Sequence, residues 1–122
     1  MLVVEDQAVI ALALEGMLLD LGCSVLPVAT SVAMAMATLL TQRPDIALLD
    51  LELAAGLAAP IAQTLAGSEV PSAVMTGYAR SEIVDQALRV APYLGKPYRL
   101  EDLHAMLTLL SVACRHRQAE LA

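Results

Sequence analysis

"DIALLDL", Asp45 to Leu51, decides how the chain folds. A run this continuously apolar, without the polar alternation of a half-exposed strand, suits a strand covered on both faces of its sheet. Helices must supply that cover, so the run predicts a parallel α/β sheet. The run also delivers a carboxylate, Asp50, to its end. An unpaired carboxylate there is costly to desolvate, so Asp50 needs partners close by.

Working outward, four more short apolar runs read as strands: "MLVVE" (1–5), "CSVLPVA" (23–29), "SAVMT" (72–76) and "YLGK" (93–96). Helical patterns fill the intervals, over 7–21, 31–42, 57–66, 80–89 and 100 to about 117. Gly22 stops the first helix, Ser31 caps the second, Arg43-Pro44 ends it, and Ser81 opens the fourth. Five such alternations predict a (βα)5 domain, a doubly wound five-stranded parallel sheet.

A chain of 122 residues builds one core and not two. The domain is expected over 1–112, with 113–122 a helix extension and frayed tail. A formal charge of -6 and a pI near 4.6 exclude a basic face for nucleic acid. Hydrophobic content is 58% and mean hydropathy +0.68, yet polar residues and prolines break each apolar run before it reaches the ~20 residues of a membrane span. Met1 is followed at once by strand-like residues, without a secretory signal, and the expected location is cytoplasmic. Cys23 and Cys114 lack metal-type spacing and read as free thiols.

In an open parallel sheet the carboxyl ends of the strands share one edge, and ligands bind there. That edge would collect Glu5 and Asp6 from the first strand, Asp50 from the third, Thr76 from the fourth and Lys96 from the fifth. Three carboxylates in one pocket repel one another, and oxygen donors without His or Cys select a hard cation such as Mg2+. An acidic first helical turn is the plain alternative for Glu5 and Asp6. Beside Mg2+, Asp50 can attack a phosphoryl group and form an aspartyl phosphate. Lys96, the lone lysine beside six arginines, would hold one phosphoryl oxygen and the Thr76 hydroxyl another.

"VVEDQ", "LLDLEL", "VMTGY" and "YLGKPY", in this order, resemble the receiver domains of bacterial two-component response regulators over residues 1 to about 112. The resemblance implies the flavodoxin-like strand order 2-1-3-4-5. It also implies Asp50 as phosphoacceptor, Asp6 and Asp50 as direct Mg2+ ligands, Glu5 acting through metal-bound water, and the Glu52 backbone carbonyl as a further ligand. Thr76 and Tyr93 would be a switch pair, Lys96 the phosphate-binding lysine, and Lys96-Pro97 a cis peptide. The implied partners are a histidine kinase or histidine phosphotransfer protein. A downstream protein or a second copy would meet the face formed by the fourth helix, fifth strand and last helix. With no output domain in the sequence read, the chain is expected to act by binding or by passing phosphoryl groups.

Departures from the family pattern are Ala54, where a proline is usual, and the extra acid Glu52. "VMTGY" after Pro71 also resembles the Phe-Ala-Thr-Gly-x-Tyr signature of a subgroup of single-domain receivers, with Val74 and Met75 replacing its first two residues. Two other classes stay open. "DLE" around Asp50 resembles the acid-x-acid motif of haloacid-dehalogenase-type phosphatases, though on the third strand and not the first. A pseudo-receiver, a binding module that takes no phosphate, is the other. Tyr78 and Tyr98 suit either core filling or partner contact, and His104 and His116 read as exposed positions on the last helix.

Overall fold

The computed structural model describes residues 1–51, 58–77 and 91–121, with side chains through 116. In chain order these form β1 (Leu2–Val4), α1 (Ala8–Asp20), α2 (Val32–Thr41), β2 (Ala47–Asp50), α3 (Ala58–Gly67), β3 (Ser72–Thr76), β4 (Tyr93–Gly95) and α4 (Leu100–Leu121). The helix expected over 80–89, with Ser81 at its start, lies outside the described residues.

The strands form one parallel sheet in the order β1-β2-β3-β4. Its register sets Leu2 opposite Ala47, Asp50 opposite Met75, and Thr76 opposite Gly95. Side chains then alternate between two cores, as period-two geometry requires. Leu2, Val4, Ala47, Leu49 and Val74 face α2 and α3, where Ala35, Ile61 and Leu65 meet them. Val3, Leu48, Ala73 and Met75 face α1 and α4, where Leu14, Leu18, Leu103 and Leu107 complete the other core. Helices thus cover both faces, which is why the strand sequences are apolar throughout.

Four described strands stand where five were expected, and the difference lies at "CSVLPVA". This segment does run parallel to the outer side of β1, but it forms a single bridge, Ala29 to Val4. Its N–H groups at Leu26 and Ala29 donate to the carbonyls of Met1 and Val3, at 3.0 and 2.9 Å. Three residues on one side therefore span two on the other, which is the count of a bulge. Pro27 sits inside that step, and the regular ladder is interrupted between Leu26 and Ala29. The segment still occupies the position that the 2-1-3-4-5 order assigns to its second strand.

The local signals at Ser31 and Gly22 hold. Ser31 Oγ accepts the Met34 N–H at 3.1 Å and caps α2. Gly22 follows α1 with φ 84, a left-handed conformation that glycine adopts without strain. After α3 the positive φ falls on Glu69 and not Gly67; Arg43 steadies that turn by donating to the Ser68 carbonyl at 3.1 and 2.7 Å. α4 runs unbroken past 112 to Leu121, and Cys114 packs into the core beyond the expected domain edge. No helix among the described residues is long and apolar enough to cross a membrane.

Candidate functional site

Parallel strands deliver their carboxyl ends to one edge, and that edge gathers the residues picked out in the sequence. Glu5 leaves β1 with its N–H bound to the Ala29 carbonyl at 3.0 Å. Asp50 closes β2 and Thr76 closes β3, while the Lys96 N–H donates to the Thr76 carbonyl at 2.8 Å. Glu5 and Thr76 have no exposed surface and Asp50 has 1%. The Lys96–Pro97 peptide is cis.

Lys96 Nζ lies 3.0 Å from Asp50 Oδ1, an ion pair with a nearly solvent-free carboxylate. Glu5, Asp6 and Asp50 each offer a carboxylate oxygen, all within 4.8 Å of one another. Glu5 Oε2 accepts the Gln7 N–H at 3.2 Å, but Oε1 is buried with no hydrogen-bond partner among the described residues. Burial, then the neighbouring Asp50 carboxyl, push Glu5 up to about 7. The plain alternative of an acidic first helical turn does not hold, because α1 has no acid in its first turn.

A buried oxygen without a donor, beside two more carboxylates, is what a divalent cation satisfies. The donors are all oxygen, with neither imidazole nor thiolate among them, which fits Mg2+. The Glu52 carbonyl lies outside the described residues.

Tyr93 pairs with Val74 in the register, two residues before Thr76 on the neighbouring strand. Both Tyr93 and Thr76 therefore project from the same face, and Tyr93 packs half-buried against the α2/α3 core. Of the two tyrosines the sequence left undecided, Tyr78 lies outside the described residues and Tyr98 is described. It packs on the opposite core, and burial raises its phenol, while the nearby Lys96 lowers it and Glu5 and Asp50 raise it, so it borders the site. Only its place two residues after Lys96 hinted at this. His104 and His116 are exposed on α4, as expected.

The family model of the response regulator receiver domain matches residues 1–108. A search of curated proteins gives no match. The BeF3-activated conformation of SdrG from Pseudomonas melonis Fr1 is 32% identical, covering 88% of this chain and 91% of that one, with a TM-score of 0.73. The receiver domain of the sensor histidine kinase PA1611 from Pseudomonas aeruginosa PAO1, with a magnesium ion in its active site cleft, is 25% identical over 89% of this chain and 93% of that one, TM-score 0.75. The PhyR stress response regulator is 26% identical at a TM-score of 0.74, this chain covering 43% of its length and 89% of its own. With the family model spanning most of its length and its strand-end carboxylates gathered at one edge, the chain belongs to the response regulator receiver domain family.

Proposed function

We propose that this receiver accepts a phosphoryl group on Asp50, with Mg2+, from a histidine kinase or histidine phosphotransfer protein. The observation that carries the reading is Asp50 itself, 1% exposed, with an ammonium 3.0 Å away and a carboxylate oxygen of each of Glu5 and Asp6 within 4.8 Å. An Asp50 oxygen attacks phosphorus, the P–N bond to the donor imidazole breaks, and its electron pair returns to the ring nitrogen. Glu5, Asp6, Asp50 and the Glu52 carbonyl would hold Mg2+, with Glu5 acting through water. When bound, the metal would supply neutralisation of charge on the transferring phosphoryl oxygens. Lys96 balances a second oxygen and the Thr76 hydroxyl donates to a third.

Thr76 and Tyr93, on one face of adjacent strands, form the switch in this reading. The face formed by 80–90, β4 and α4 binds the downstream partner or a second copy. Residues 1–112 make up the receiver and 113–122 extend its last helix, in the cytoplasm. Signalling proceeds by phosphorylation-dependent binding or by onward transfer, and attack of water on the acyl phosphate resets Asp50. SdrG in its BeF3-activated conformation and the magnesium-loaded PA1611 receiver support the reading by likeness.

Beryllofluoride, which binds a carboxylate as a mimic of the phosphoryl group, tests it. With Mg2+ it is expected to raise the melting temperature of the wild type and leave Asp50→Asn unchanged. An unchanged wild type overturns the proposal.

A further inference from the structure

The sheet edge opposite the acidic cluster holds a second concentration of reactive groups. A cavity of about 380 Å3 opens there, where the leads into β1 and β2 meet α4; its walls include Met1, Cys23, Asp45, Ile46, Cys114 and Arg115. The chain has two cysteines, far apart in sequence, and both line this one cavity. Cys114 is 7% exposed within the α1/α4 core, and Cys23 packs half-buried against the same core. A soft metal is a poor occupant, because it takes three or four ligands. Among the described residues, Cys23, Cys114 and Asp45 do not bring three ligand atoms together as Glu5, Asp6 and Asp50 do. What the cavity offers is a pair of thiols.

We propose that Cys23 and Cys114 are a redox pair that a peroxide closes to an intramolecular disulfide. The more exposed Cys23 reacts first: its thiolate attacks a peroxide oxygen, the O–O bond breaks, and sulfenic acid and water result. The Cys114 thiol gives up its proton and attacks the Cys23 sulfur; an S–S bond forms, the S–O bond breaks, and a second water leaves. Two thiols and one hydrogen peroxide thus become one disulfide and two waters. A disulfide needs its Cα atoms about 5.5–6 Å apart. Cys23 lies outside the strand ladder but its N–H donates to the Leu18 carbonyl at 3.0 Å, so closing the bond calls for movement of the turn after α1 as well as of the two side chains.

The bond would tie the segment after α1 to the last helix, so that most of the chain becomes one closed loop. Closing a long loop restricts the unfolded state, and the oxidised protein should melt several degrees higher. Asp50 lies at the other end of β2, so the proposal stands or falls apart from the phosphoryl chemistry.

The test treats the reduced full chain with a small excess of hydrogen peroxide. Expected are a mass lower by two hydrogens, a Cys23–Cys114 cross-linked peptide, a monomer on non-reducing gels, and a higher melting temperature, all reversed by dithiothreitol. Cys23→Ser, at the less buried position, and Cys114→Ala should each abolish the cross-link. Oxygen added at Cys23 with Cys114 still open to alkylation after unfolding, disulfide-linked dimers, or no reaction would each overturn the proposal.

Discussion

Glu5 shows what one residue does in this site. Its carboxyl is pushed up from 4.5 to about 7, first by burial and then by Asp50, so the metal-free native state holds a proton that the unfolded chain releases between those values. The contribution to stability is therefore fully present below pH 4.5 and lost as pH rises to about 7, at no more than about 1.4 kcal/mol per pH unit. Melts of metal-free protein at pH 5.5 and 8 should show this loss, and Glu5→Gln should flatten it; equal slopes would contradict the assignment. Because ligands bind metal deprotonated, Mg2+ affinity should rise over the same interval. Asp6→Ala should remove the ~0.5–1.5 kcal/mol that millimolar Mg2+ contributes through a millimolar-range site, read as a lost melting shift. These carboxylates were legible in the sequence because chemistry ties each to a strand end. Tyr98 was not, because its place beside Lys96, Glu5 and Asp50 depends on how the chain turns after the cis Lys96–Pro97 bond.

At the scale of elements, strands read well wherever both faces are covered and no extra residue interrupts the ladder. β1, β2, β3 and β4 fall within the runs that predicted them, while "CSVLPVA" reads equally apolar and yet makes one bridge. The pattern of apolar residues carries no information about the extra residue at Pro27, which hydrogen bonding reveals. α1 exposes a similar limit: Val9 and Leu12 are 82% and 71% exposed, so its apolar residues run around the helix and do not mark the buried stripe. That stripe is Ala11, Leu14 and Leu18. The cap of α2 was legible because its chemistry is local. Ser31→Ala should cost about 1 kcal/mol in denaturant unfolding, since it strips the Met34 N–H of its acceptor. Leu49→Ala, which hollows the core between β2 and the α2/α3 face, should cost about 2–5 kcal/mol. A Leu49 effect no larger than that of Ser31 would mean the sheet is not packed as described.

For the whole molecule, the sheet joins the acidic edge to a surface that can report on it. In the proposed reading a phosphoryl group at Asp50 would draw the Thr76 hydroxyl, and Tyr93, on the same face of the next strand, would respond to the change. Beryllofluoride with Mg2+ should therefore shift amide resonances along β4 and α4 in the wild type. Thr76→Ala should keep the binding and lose the distant shifts; unaltered distant shifts would remove Thr76 from the switch. Everything in this account rests on Asp50 as the acceptor, and intact-mass spectrometry after treatment with acetyl phosphate and Mg2+ examines that most directly. The account predicts one added phosphoryl group in the wild type, mapped to Asp50, lost when Mg2+ is chelated beforehand, and absent from Asp50→Asn. An added phosphoryl group that survives Asp50→Asn, or a wild type that takes none, would contradict it.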